Sequence, residues 1–186
     1  MYRIEYRVGI AAPVDDAYDL MADIENWPQW SPIHKKASGQ LSFGAAIGLE
    51  EYYDGLGTWE LAGSLADWQP YSHIHVVIPK PFYAGTLIRY FEFDALSGQG
   101  STFAVGALFR GFLAEREGRM ISAPVRRGFT AFAEAVKAKA EASYLAKPEE
   151  ERGVNHLPPK ATPDKLKPPP APNWKGTRFF GQKKKK

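Results

Sequence analysis

Tyr2, Ile4, Tyr6, Val8 and Ile10 alternate with Arg3, Glu5, Arg7 and Gly9, the period-2 spacing of a strand with one buried face. Pro13 then suits the first turn of a helix, and Asp15 and Asp16 sit where the helix dipole favours negative charge. Val14, Tyr18 and Met21 recur at helical spacing, and the helix must end before Pro28. From Asn26 to Pro32 two prolines stand among two indoles, Trp27 and Trp30. That segment predicts a compact turn or a single helical turn that buries aromatic area.

After Gly39 short apolar runs are separated by Gly, Pro and Asp, the sequence form of an antiparallel sheet. Strands are expected near 35–43, 47–54, 58–68, 72–79, 86–95 and 101–109, with turns at Asp54-Gly55-Leu56-Gly57, Pro79-Lys80-Pro81 and Ser97-Gly98-Gln99-Gly100. Between about Ser122 and Tyr144, Val125, Phe129, Phe132 and Val136 step by four, three and four, an apolar stripe opposite Arg126, Arg127, Lys137 and Lys139. Pro124 is tolerable only in a first turn, so this helix is expected to start close to it. A sheet with one apolar face must cover that face with the one long helix available. The fold class is therefore α+β, a curved antiparallel sheet of about seven strands wrapped around a long C-terminal helix, with two short helices after the first strand.

The 186 residues suit one domain of ordinary size, yet charge divides the chain in two. Residues from 145 onward hold nine Lys and two Arg against three Glu and one Asp, a net +7, while residues 1–144 carry −4. That second part also holds eight of the fifteen prolines and ends in Lys183, Lys184, Lys185 and Lys186. It cannot bury enough apolar surface to offset its ordering entropy, so an extended tail over 145–186 is expected beside a domain over 1–144. Without cysteine there is no disulfide, thiolate metal site or cysteine nucleophile. The N-terminus lacks the apolar segment of a signal peptide, and no run approaches a membrane span, so a cytoplasmic protein is expected.

The segment VGIAAPVDDAYDLMADIENWPQWSP, from Val8 to Pro32, resembles the opening of the START-like, or SRPBCC, superfamily: a strand, Ala-Pro, an amphipathic helix and Trp-Pro-x-Trp. Tyr90-Phe91-Glu92-Phe93, Gly100-Ser101-Thr102 and Phe109-Arg110-Gly111 resemble its closing hairpin and the exit toward the final helix. The resemblance covers about 140 residues. It implies the helix-grip fold, with a deep cavity between sheet and helix, shared by ligand carriers and polyketide cyclases alike, so function must be argued from the site.

By the apolar phase of each strand, the inward rows are Leu49, Glu51 and Tyr53; Trp59, Leu61 and Leu65; Ile74, Val76 and Ile78. They continue with Leu87, Arg89, Phe91 and Phe93, then Phe103, Val105, Ala107 and Phe109. Trp27 and Trp30 are expected to cap one end, and Phe129 and Phe132 to close the side. The candidate ligand-binding set is Trp27, Trp30, Glu51, Tyr53, Trp59, Arg89, Phe91, Phe103, Phe129 and Phe132; the plainer alternative is that the aromatics simply fill a core. Arg89 and Glu51 break the apolar rows and, if inward, need each other, a water or a ligand oxygen, because an unpaired charge in an apolar cavity is costly. A strand irregularity turning Arg89 to solvent is the alternative.

His73 and His75 point to one face, which their phase makes the convex, solvated one, and no Asp, Glu or Cys motif beside them completes a metal site. His34 is expected at the surface near the cavity mouth. Neither a metal nor a cofactor is expected, and no catalytic nucleophile or phosphate-binding loop occurs. In the tail, Trp174, Arg178, Phe179 and Phe180 set aromatics among basic residues ahead of Lys183–Lys186, a composition that could dock to a protein complex or an anionic membrane surface. An acidic body argues against nucleic acid. The reading that follows is a carrier or sensor of a hydrophobic molecule such as a quinone, lipid or aromatic metabolite, docked through its tail. A polyketide cyclase-like enzyme using Arg89, Glu51 and Tyr53, and a structural accessory subunit with a filled cavity, are the alternatives.

Overall fold

A computed structural model describes residues 1–81, 83–96 and 98–152. The tail residues Trp174, Arg178, Phe179, Phe180 and Lys183–Lys186 lie outside the described residues.

Seven strands run β1 Tyr2–Ile10, β2 His34–Ser38, β3 Ala46–Tyr53, β4 Gly57–Gln69, β5 His73–Pro79, β6 Thr86–Ala95 and β7 Ser101–Arg110. All pair antiparallel in the order β1-β7-β6-β5-β4-β3-β2, so successive strands are neighbours from β2 onward and β1 closes on the last. Helix α1 spans Val14–Ala22, a 3-10 turn follows at Ile24–Asn26, and Trp27–Trp30 forms α2, the single turn expected around Pro28. The long helix α3, Phe112–Ala146, lies along β1 and β7 and reaches β3.

Burial follows the expected phases. Every inward position assigned from sequence is buried except Trp59, which is partly buried against the core. Alternation works because each curled strand shows one face to α3 and the other to water.

The start of α3 corrects the sequence reading by about three turns. The helix begins directly after Gly111, whose φ of 105° suits glycine, and it passes through Pro124. Proline there removes one N–H bond to the carbonyl of Met120. Met120 is 75% exposed, so water can satisfy the freed carbonyl, while Gly118, Ile121 and Val125 hold the helix down on either side of the proline. The backbone of Gly118 lies against Phe109 and Tyr2, leaving no room for a Cβ. Packing on both sides has overridden the local break.

Candidate functional site

Arg89 and Glu51 meet inside the grip. They come from β6 and β3, strands separated by β5 and β4, and only the curl of the sheet brings them together. Arg89 Nη2 donates to Glu51 Oε1 at 2.7 Å, and both residues are 1% exposed. Arg89 Nη1 donates to the Gly106 carbonyl at 3.2 Å, while its guanidinium carbon stands 4.3 Å from the centre of the Phe129 ring, a cation–π placement. Tyr53, two residues along β3, donates its hydroxyl to Glu51 Oε2 at 2.6 Å.

A fourth member, His34, was expected at the surface and is instead 2% exposed. It opens β2, pairs in register with Glu51, and lies against the rings of Trp27 and Phe132. Its Nε2 is 3.3 Å from Glu51 Oε1, off the line of a good hydrogen bond. Ser31 Oγ accepts from the backbone N–H groups of Ile33 and His34 and lies 2.7 Å from His34 Nδ1. With its acceptor capacity so used, the hydroxyl donates to Nδ1 and leaves the ring proton on Nε2, toward Glu51. Sequence reasoning missed His34 and Ser31 because strict alternation sets His34 with the exposed Lys36 and Ser38; the β2–β3 register slips between His34 and Lys36, and that irregularity turns the histidine inward opposite Glu51.

Burial opposes ionisation of Glu51, but the Arg89 charge and the His34 and Tyr53 side chains outweigh it and hold the carboxyl at about 2. Burial lowers His34 despite the neighbouring carboxylate. Burial, reinforced by Glu51, raises Tyr53. At neutral pH the cluster is one anion and one cation with neutral His34 and Tyr53 around them, so its net charge is zero.

The proposed aromatic wall is packed on itself. Tyr53 and Phe91 are 1% exposed, and Phe103, Phe129 and Phe132 not at all, so these rings face one another and no water-sized space. Trp27 sits 5.2 Å from Phe91, and Trp30 stacks on Phe132 at 5.6 Å and 13°. Open space lies farther out, between the first part of α3 and the strands it does not cover. There a recess of about 310 Å³ is lined by the apolar Trp59, Leu61, Ile78 and Leu87 and by the polar Thr58, Glu60, Lys80 and Glu117. Lys80 Nζ reaches Glu117 at 2.6 Å, tying the β5–β6 loop to α3 across the opening.

A curled antiparallel sheet gripping one long helix, with the interior and its mouth between them, defines a START-like protein of the helix-grip class. The chain belongs to the polyketide cyclase / dehydrase and lipid transport family, whose model matches residues 1–141. No curated protein matches it in sequence. Among solved structures, a START superfamily protein from Mycobacterium smegmatis superposes with a TM-score of 0.58 at 14% identity over 77% of this chain and 99% of that one. The Zhui aromatase/cyclase from Streptomyces sp. R1128 gives 0.57 at 20% identity over 75% and 93%. The di-domain ARO/CYC BexL from the BE-7585A biosynthetic pathway gives 0.59 at 14% identity over 79% of this chain and 51% of BexL, so the chain spans about half of that protein. At these identities the likeness is one of fold.

Proposed function

We propose that this domain is a noncatalytic carrier or sensor of a hydrophobic small molecule with one polar end, admitted through the recess between α3 and strands β4–β6. The observation that carries the reading is the recess itself, which sets Trp59, Leu61, Ile78 and Leu87 beside the polar side chains of Thr58, Glu60, Lys80 and Glu117, the last two joined as an ion pair. Its volume is at the small end for ligand pockets. In the packed interior Arg89 Nε is buried without a hydrogen-bond partner among the described residues, so a ligand carbonyl or carboxylate would satisfy it only if the rings around it gave way.

A carrier is favoured over a cyclase because the ionisable groups are committed to each other. Glu51 at about 2 is a poor base at neutral pH, and the raised Tyr53 a poor acid. At the molecular surface, Tyr83 is 68% exposed, and Phe112 and Met120 near the start of α3 are 82% and 75% exposed. That apolar skirt, together with the Lys-rich tail, supports delivery at an anionic membrane surface. No helix among the described residues is long and apolar enough to cross a membrane.

Native mass spectrometry of the full chain, before and after incubation with a ubiquinone analogue, fatty acids and aromatic polyketides, tests the reading. One ligand bound per chain, lost in Leu61→Arg, is the expected result. An unchanged mass across the panel would overturn it, and turnover of a linear poly-β-ketone would replace carriage with catalysis.

A further inference from the structure

A second cluster lies on the opposite face of the sheet. His73 and His75 project from β5 on its convex side, as expected, but the expectation that nothing completes a site beside them does not hold: Asp67 of β4 joins them. Strict alternation from buried Leu65 would turn Asp67 inward. The β4–β5 register slips there, Leu65 pairing with Val76 and Asp67 with His75, so Ala66 is an extra residue and the bulge turns Asp67 outward. Alternation then resumes with Trp68, whose indole donates to Tyr18 at 2.7 Å.

We infer that Asp67, His73 and His75 form a binding site for a divalent transition-metal ion of the zinc class. The donor atoms of the three residues all lie within 4.8 Å of one another. His73 Nε2 stands 3.2 Å from Asp67 Oδ2 and His75 Nδ1 3.8 Å from the same oxygen. Tetrahedral zinc, with bonds of about 2.0 to 2.2 Å to imidazole and carboxylate, sets its ligands about 3.3 Å apart, so the first distance already fits and the second closes by a small ring rotation. The His73 Nε2 atom is shielded from solvent and makes no hydrogen bond among the described residues.

The surroundings also suit a metal. Ser72 Oγ is 3.2 Å from His73 Nδ1, where it can accept the ring proton and leave Nε2 as the lone pair. Glu92 Oε1 lies 3.8 Å from His75 Nε2, beyond hydrogen-bond reach but near enough for its charge to favour the proton on that nitrogen once Nδ1 is engaged. Such outer carboxylates and hydroxyls fix the tautomers of metal-binding histidines. Two nitrogens and one oxygen, with a recess of about 270 Å³ beside His73, His75 and Glu92, leave a fourth position open to water or an exogenous ligand. None of the three residues lines the recess proposed for the ligand, so the inference does not depend on it.

Isothermal titration of the metal-free full-length protein with zinc chloride, repeated with cobalt chloride and followed by absorbance, tests the inference. One equivalent of zinc and a tetrahedral cobalt spectrum are expected. His73→Asn with His75→Asn should abolish both, and Asp67→Asn should weaken zinc at least tenfold. All three positions lie on the outer face, so unchanged circular dichroism should accompany the loss. No zinc uptake by the unaltered protein, or uptake that survives the double substitution, overturns the assignment.

Discussion

At the scale of single residues, the Arg89–Glu51 pair is the most exacting feature of the molecule. Two buried charges attract strongly only because each has its partner; removing one leaves the other desolvated and alone. Arg89→Ala should therefore cost about 3–5 kcal/mol, read as the loss in urea-unfolding free energy. Replacing the two together with Arg89→Met and Glu51→Leu should cost far less, since it leaves no orphan charge. Titration adds a second check. Glu51 has a folded pKa of about 2 against an ordinary 4.5, so its contribution is fully present above the ordinary value and fades as pH falls from there toward 2. His34, lowered from 6.5, binds its proton more readily when unfolded, so it too withdraws stability as pH falls below 6.5. Unfolding free energies measured from pH 7 to 3 should decline throughout, and His34→Gln should flatten the portion just below 6.5.

Among the elements, α3 and β4 each carry a local irregularity that the tertiary structure absorbs. Pro124 lacks the N–H that would bond to Met120, and a proline inside a helix costs about 3 kcal/mol relative to alanine. Pro124→Ala should therefore raise the unfolding midpoint by several degrees in a thermal melt, less whatever the proline contributes by restricting the unfolded chain. Gly106 of β7 shows the reverse case. The Tyr90 ring lies directly over it, its hydroxyl donating to Glu5 at 2.6 Å. A Cβ at 106 would collide with that ring, so Gly106→Ala should lower stability by about 1–3 kcal/mol in urea, and Tyr90→Ala combined with it should relieve the clash while losing the ring's packing. The strands were legible within a residue or two, except that β2 stops at Ser38 rather than near 43, because alternation and Gly-Pro punctuation report directly on a half-buried sheet. The α3 start was not, because Pro124 is a local signal and the packing of Ile121 and Gly118 against distant strands is not.

For the molecule as a whole, the division near residue 145 is a proposal with a simple test. The family match ends at residue 141, and α3 runs to Ala146 with Lys147 bonded to Asp16 of α1 at 2.7 Å. A chain of residues 1–152 should therefore melt at the same temperature as the full chain. The same truncation should lose binding to phosphatidylserine vesicles, measured by cosedimentation, if the Lys-rich tail brings the domain to a surface. Equal cosedimentation of both forms would assign that role to the apolar skirt around Phe112 instead. The sequence by itself determined the class of fold, the phase of every inward row and the presence of two charges among them. Those follow from local periodicity, which each strand carries within its own residues. Only the tertiary structure decided that Arg89 reaches Glu51, that His34 joins them, that the aromatics fill the interior, and that a bulge turns Asp67 toward two histidines. Each of these depends on how far a sheet curls and where its register slips, quantities set by contacts between strands and encoded in none of them alone.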